Sequence, residues 1–219
     1  MLADYPMSCK EEAYIKELFS AQDFVCSEVR TLLPDASGLD AQLDTINARL
    51  INIIIQLIRP KRAVELGTLF GYSAIWIARA LPSDGVLYTI DKNSKNLEIA
   101  SKLFRSFGLQ DKIHPIHGNA PEELTKLDGL FDIMFIDADK KNYCKYLDWA
   151  EANIKKGGLI ISDNTLSFGK VNIAQRPADR YLGPWNAVRE FNARLADSTK
   201  YSSVMLPIAK GLTLALKKF

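Results

Sequence analysis

Short apolar runs alternate with helix-like segments along most of this chain, and that alternation limits the folds it can adopt. Five of the runs have the length and composition of strands, and helical patterns separate or follow them. Such alternation predicts a parallel sheet with helices covering both of its faces. The predicted strands are residues 62–66, 86–91, 112–117, 131–137 and 158–163, and the predicted helices are residues 71–81, 93–107, 121–127, 141–155 and 185–197.

The two ends of the chain depart from the alternation. Residues 201–206 and 212–217 are strand-like runs with no helix between them, so they are expected to pair antiparallel. Residues 10–58 are interpreted as two helices broken by the proline- and glycine-containing segment 33–38. The predicted fold class is therefore α/β: one domain over residues 1–219, with a doubly wound, mostly parallel seven-stranded sheet that has one antiparallel strand.

The composition is that of an ordinary globular protein. Of the 219 residues, 47% are hydrophobic and 25% are charged. A net charge of +2 with scattered basic residues does not favour a nucleic-acid partner. The most apolar stretch, residues 50–58, is far shorter than the roughly 20 residues of a membrane span, so no membrane association is expected. Three cysteines without C-x-x-C spacing, and no signal-peptide pattern, predict a cytoplasmic protein.

Oxygen-bearing side chains lie at the ends of two predicted strands. Asp137 ends the fourth strand, and Asp163 and Asn164 end the fifth. In an open parallel sheet, ligands bind outside the carboxyl ends of strands that lie about 4.8 Å apart. The three side chains can therefore converge on one cation, and an all-oxygen set suits Mg²⁺, Mn²⁺ or Ca²⁺ rather than zinc. The alternative is that each side chain only caps the element that follows it.

A glycine-containing turn follows the first predicted strand. Gly67 begins the spacing G-x-x-x-G, which lacks the G-x-G-x-x-G pattern of a dinucleotide fingerprint. Gly67 would let a ligand approach the backbone, although the turn could also be purely structural. Asp91 ends the second strand, about 20 residues later, where an acid can accept hydrogen bonds from both ribose hydroxyls. The alternative for Asp91 is a helix N-cap or a turn aspartate.

Lys140 follows Asp137 by three residues. A cation bound at Asp137 would disfavour the charged form of the lysine, so its pKa would fall toward that of a general base. The alternative is a solvated surface lysine.

Together these residues resemble the cation-dependent S-adenosylmethionine O-methyltransferases, the family that includes the caffeoyl-CoA and catechol O-methyltransferases. The resemblance covers roughly residues 40–219, and it implies the Rossmann-like fold of these methyltransferases and a homodimer. It is carried by residues 64–68, 71–73, 88–91, 135–143, 157–158, 163–166, 206–208 and 211–215.

The resemblance also implies a role for each candidate residue. For binding of the methyl donor it implies the set Leu43, Glu65, Gly67, Thr68, Ser73, Asp91, Ala120 and Asp137, with Asp91 on the ribose and Ala120 beside the adenine. It implies that Asp137, Asp163 and Asn164 are the metal ligands and that Lys140 is the catalytic residue.

The resulting hypothesis is transfer of a methyl group from S-adenosylmethionine to a hydroxyl of a small aromatic vicinal diol, assisted by a divalent cation such as Mg²⁺. A second hypothesis keeps the chemistry but takes a hydroxylated uridine of tRNA as the acceptor, which the weak net charge disfavours. A nicotinamide-dependent oxidoreductase is a third, and a non-catalytic donor-binding protein is a fourth. The missing third glycine counts against the third, and Lys140 counts against the fourth.

Overall fold

A mixed sheet forms the centre of the protein, whose computed structural model describes residues 9–20, 23–32, 42–166 and 179–219. The described strands are β1 (Arg62–Leu66), β2 (Val86–Asp91), β3 (Ile113–His117), β4 (Phe131–Ile136), β5 (Ile154–Asp163), β6 (Tyr201–Leu206) and β7 (Leu212–Lys217). They form one seven-stranded sheet in the order β3-β2-β1-β4-β5-β7-β6. β7 pairs antiparallel with β5 and β6, and the other pairs are parallel, which confirms the predicted fold class.

Helices cover both faces of the sheet, because the central strands alternate their apolar side chains between two cores. On β4, Ile133 and Phe135 belong to the core that packs against the first helices, whereas Met134 and Ile136 belong to the core under the later ones. The described helices are α1 (Cys9–Ser20), α2 (Phe24–Leu32), α3 (Thr45–Ile58), α4 (Tyr72–Ala80), α5 (Ser94–Ser106), α6 (Ala120–Leu124), α7 (Tyr143–Asn153) and α8 (Asp179–Leu195).

The predicted strand ends on the ligand-binding side agree with the structure to within one residue. β5 differs at its other end, because it begins at Ile154 rather than at residue 158. Phe131 pairs with Ile154, and the register then shifts before Ile133 pairs with Leu159. Backbone pairing of β5 thus begins before Gly157 and Gly158. The pairing is irregular there, and the apolar pattern of the sequence does not reveal where it begins.

The prediction of two helices before the first strand was wrong, since α1, α2 and α3 are separate helices. Asp23 immediately precedes α2, and its backbone oxygen accepts a hydrogen bond from Ser27 at 3.0 Å. Its side chain is buried and accepts from Thr45 Oγ1 at 3.1 Å. An aspartate at a helix start favours a new helix, and this contact directs α2 toward α3. The predicted loop at residues 33–38 lies outside the described residues.

No helix in the described part of the chain has the length and apolar composition needed to cross a membrane.

Candidate active site

A cleft of about 370 Å³ opens at the carboxyl ends of β1, β2 and β4. The strand order reverses between β1 and β4, and a doubly wound sheet binds its ligands at such a point. The loops that follow these strands form much of its wall. The predicted site residues that line the cleft are Leu43, Gly67, Thr68, Ser73, Asp91, Ala120, Asp137 and Asn164. Glu65, Lys140 and Asp163 are not among its lining residues.

Gly67 has a structural reason to be glycine. Its φ of +95° is a conformation that side chains disfavour, and an added Cβ would lie 2.1 Å from the backbone oxygen of Asp137. The loop after β1 can therefore pass the loop after β4 only without a side chain at this position. Gly67 lines the cleft as predicted. The position that its side chain would occupy is filled by the backbone of Asp137 and is not open to a ligand.

Glu65 lies beneath the cleft and is fully buried. Its Oε2 accepts a hydrogen bond from Thr89, whose hydroxyl also pairs with Thr68 Oγ1 at 2.6 Å. The other carboxylate oxygen, Oε1, has no hydrogen-bond partner among the described residues. Burial raises the pKa of Glu65 to about 7, against the opposing effect of the hydroxyl groups near it. The chain thus holds an acid with unused acceptor capacity under the predicted donor site.

Asp91 acts as a turn residue within the protein while also lining the cleft. Its Oδ2 accepts from the backbone N–H of Leu69, and its Oδ1 accepts from that of Asn93, both at 2.8 Å. The turn alternative is therefore part of what this side chain does, whereas the N-cap of α5 is Asn93. Each carboxylate oxygen can accept more than one hydrogen bond, so the contacts leave capacity for a ligand in the cleft.

The predicted metal ligands come together in the structure. Asn164 Nδ2 lies 3.0 Å from Asp137 Oδ1 and 3.1 Å from Asp163 Oδ2. Asn164 holds the left-handed conformation, with φ of 60°, which asparagine tolerates better than most residues. Its buried Oδ1 has no partner among the described residues. Two carboxylates and one carboxamide therefore converge at adjacent strand ends.

The two carboxyl groups are costly to ionise where they lie. Burial raises the pKa of Asp137, and the nearby ammonium of Lys140 opposes that rise. Burial and then the charge of Asp137 raise the pKa of Asp163 to about 6. Desolvated, mutually repelling carboxylates are stabilised by a positive charge placed between them.

Lys140 begins a short 3-10 helix, Lys140–Asn142, which directly precedes α7. Its ammonium donates to the hydroxyl of Tyr143 and lies 3.8 Å from Asp137 Oδ1. The Tyr143 hydroxyl in turn donates to the backbone oxygen of Asp163 at 3.0 Å. The side chain is 18% exposed, so the solvated alternative is wrong. Burial lowers the pKa of Lys140, and the neighbouring carboxylates oppose this effect.

Several residues at the site were not predicted. Asn47 of α3 donates from Nδ2 to Asp163 Oδ1 at 3.2 Å. Tyr146 donates to Asp139 at 2.6 Å, and both line the cleft together with Lys210. A sequence signal existed for Asn47, since it is a polar residue at the i−4 position of the buried series Ile51 and Ile55. Across the described ranges, no group of three or more His, Cys, Asp or Glu side chains could hold a metal, so a metal site here needs an oxygen ligand of another kind, such as Asn164.

Comparisons with known proteins agree with this architecture. Residues 16–218 match the sequence profile of the O-methyltransferase family. The chain is 32% identical to a catechol O-methyltransferase of Niastella koreensis, covering 94% of this chain and 95% of that protein. It is 36% identical to caffeoyl-CoA O-methyltransferase 1 of Eucalyptus globulus, covering 75% and 70% of the two chains. The crystal structure of O-methyltransferase TomG from Streptomyces achromogenes in complex with SAM is similar, with a TM-score of 0.85 and 27% identity over 97% of this chain and 100% of that one.

Proposed function

Because the chain belongs to the O-methyltransferase family and is an S-adenosylmethionine-dependent enzyme of that class, we propose that it methylates one hydroxyl of a small aromatic vicinal diol with the help of a divalent cation. The observation that carries the proposal is the convergence of Asn164 with Asp137 and Asp163, at 3.0 and 3.1 Å. The relative named catechol O-methyltransferase, similar over 94% of this chain, supports a catechol-like acceptor. Family membership also decides against the nicotinamide-dependent oxidoreductase.

The three residues suit a hard cation. Carboxylate and carboxamide oxygens are the ligands that Mg²⁺ favours, and Mn²⁺ or Ca²⁺ accept the same set. The Oδ1 atom of Asn164, which has no partner among the described residues, would supply the third oxygen when the amide turns it toward a cation between the two carboxylates. A cation would also offset the burial that raises the pKa values of Asp137 and Asp163. When bound, it would supply Lewis-acid stabilisation of the acceptor oxygen.

The cleft is the proposed site of the methyl donor. Asp91 would accept hydrogen bonds from the ribose hydroxyls, and Ala120, at the first residue of α6, would lie beside the adenine. Ser73 and the backbone near Gly67 and Thr68 would contact the methionine part, and Leu43 also lines the cleft. Asp137 lines the same cleft, so it is the residue proposed to contact both donor and cation.

Lys140 is the proposed general base. In its neutral form the Nζ atom would take the proton from the acceptor hydroxyl. The acceptor oxygen then bonds to the donor methyl carbon as the carbon–sulfur bond breaks, and the electron pair remains on sulfur, leaving S-adenosylhomocysteine. Tyr143 restricts the lysine, because its hydroxyl accepts from Nζ and donates to the backbone of Asp163. A fixed base beside an in-line methyl group accelerates the reaction by proximity.

A methyl-transfer assay with a panel of catechols and matched monophenols tests this proposal. Each acceptor is assayed with Mg²⁺, with Mn²⁺, with Ca²⁺ and with excess chelator. We expect transfer to catechols only, lost in chelator and restored by added cation. Equal rates with and without chelator would refute the metal's part, and equal rates for monophenols would refute the vicinal diol. A hydroxylated uridine nucleoside in the same panel tests the tRNA-type acceptor.

A further inference from the structure

A buried asparagine on α3 reaches the site from outside the cleft. Asn47 is completely buried, and its Nδ2 donates to Asp163 Oδ1 at 3.2 Å across 116 residues of sequence. It is not among the residues that line the cleft, and the contact that links it to the site is the one with Asp163. The Asp44 side chain caps the helix by accepting from Ile46 N–H at 2.9 Å, which fixes the first turn that carries Asn47.

Packing does not account for an asparagine at this position. Asn47, Ile51 and Ile55 form the buried i, i+4, i+8 face of α3, where an apolar side chain would suffice. The Asn47 Oδ1 atom is buried with no partner among the described residues, which is unfavourable. Within the described part of the chain, the one hydrogen bond that its side chain makes is the bond to Asp163. An ionised carboxylate only accepts hydrogen bonds, so the amide nitrogen must be the atom that faces it.

The carboxylate of Asp163 is held at both oxygens. Asn47 donates to Oδ1, and Asn164 donates to Oδ2 at 3.1 Å. If Asn164 presents its oxygen to a cation, its donation to Asp163 is lost. Asn47 is then the remaining side-chain donor to this carboxylate among the described residues. A metal-ligating carboxylate that keeps one hydrogen-bond donor keeps its orientation.

We propose that Asn47 is a positioning residue that orients Asp163 for the divalent cation. The inference rests on the proposed function, because it requires Asp163 to be a metal ligand. It predicts that removing the Asn47 amide lowers the affinity for the cation and leaves the affinity for the methyl donor unchanged. Loss of such a supporting contact typically lowers metal affinity by about 10–100-fold.

The test measures Mn²⁺ affinity by electron paramagnetic resonance for the wild type, Asn47→Ala, Asp163→Ala and Asn52→Ala. Asn52 is the matched control: it lies on the same helix, five residues further on, and donates to the backbone oxygen of Trp76 at 2.9 Å. S-adenosylmethionine affinity without metal and the melting temperature are measured on the same samples. We expect Asn47→Ala to bind Mn²⁺ about 10–100-fold more weakly with unchanged donor affinity. Saturating Mn²⁺ should restore its turnover, whereas it should not restore that of Asp163→Ala.

The outcomes separate the two claims. If Asn47→Ala binds Mn²⁺ as tightly as the wild type while Asp163→Ala loses binding, the role of Asn47 is overturned and the metal site is retained. Undiminished binding in Asp163→Ala overturns the metal site and the inference with it. An equal loss in Asn52→Ala would show a general effect of damage to α3 and also overturn the inference. If Asn47→Ala does not fold, the Asn47 side-chain amide resonances of the wild type take its place: a shift on adding Mg²⁺ supports the role, and no shift while Mg²⁺ binds overturns it.

Discussion

The buried carboxyl group of Glu65 makes the stability of the protein depend on pH in a direction that one substitution can test. Burial raises its pKa from 4.5 to about 7. Between these values the folded protein holds a proton that the unfolded chain has released. The free energy of unfolding therefore falls as the pH rises through this window, and the loss is complete above about pH 7.

The size of this effect follows from the two pKa values. The difference between about 7 and 4.5, at about 1.4 kcal/mol per pH unit, corresponds to about 3–4 kcal/mol of unfolding free energy. Glu65→Gln keeps the size of the side chain and cannot ionise. We expect the stability of the variant relative to the wild type to rise by about 3 kcal/mol between pH 4.5 and pH 8.

Urea unfolding of both proteins at pH 4.5, 6 and 8, without methyl donor, measures the difference directly. Taking the difference cancels the titration of other groups, such as Asp163. Glu98→Gln is the matched control, because Glu98 is a 70% exposed glutamate on α5 and its loss should leave a profile parallel to that of the wild type. Parallel profiles for Glu65→Gln as well would refute the reasoning.

At pH 8, where Glu65→Gln should stabilise the fold relative to its effect at pH 4.5, the same substitution should weaken binding of the methyl donor. S-adenosylmethionine is cationic, and Glu65 Oε1 is a buried acceptor with no described partner. Losing a hydrogen bond to a charged group costs about 1.5–3 kcal/mol, so the donor's Kd at pH 8 should rise by about 10–150-fold. Calorimetry at pH 8 measures it. An unchanged Kd would mean that Glu65 serves only the interior of the protein.

Four further substitutions test the proposed roles. Asp163→Ala should abolish turnover but leave donor affinity nearly unchanged by calorimetry; an equal loss of both would contradict its assignment to the metal. Asp91→Ala should raise the donor's Kd by about 10–150-fold and lower the melting temperature, since two backbone N–H groups lose their acceptor; unchanged affinity would leave only the turn role. Lys140→Ala should lower kcat by about 10²–10⁴-fold at neutral pH and less at alkaline pH, where the acceptor ionises unaided; a constant deficit in the pH–rate profile would contradict a general base. Leu57→Lys should disrupt, in light scattering, the homodimer that the family resemblance implies, because Leu57 is a 78% exposed apolar side chain of α3; a monomeric wild type would contradict that expectation.

The strand ends could be predicted because local pattern and sheet topology act together there. An apolar run such as residues 131–136 must stop where its side chains leave the core, and Asp137 marks that point. Parallel pairing of β4 with β5 then brings Asp137 near Asp163 and Asn164. The proximity of these residues could be predicted from the strand order, whereas the roles proposed for them rest on the family resemblance.

Contacts that depend on how helices dock could not be predicted in the same way. The helical period of residues 10–32 continues across Asp23, so periodicity alone gives no reason to end α1 and begin α2. The break depends on Asp23 reaching Thr45 and Tyr72, which lie 22 and 49 residues away in the sequence. Tertiary contacts of this kind override local propensity, and they leave no trace in the pattern of one segment.

A polar residue within an apolar helix face is the signal that would have extended the prediction. A buried amide without a partner is unfavourable, so Asn47 at the i−4 position of Ile51 and Ile55 implies a polar group on the surface that α3 covers. Asn47 in the first turn of α3 reaches Asp163 at the end of β5, so the polar groups within its reach are those at the strand ends. The period identifies Asn47, and the topology restricts its partner to the acids at the strand ends. Only the docking angle of α3 selects Asp163 over Asp137, and that angle depends on packing that no single segment encodes.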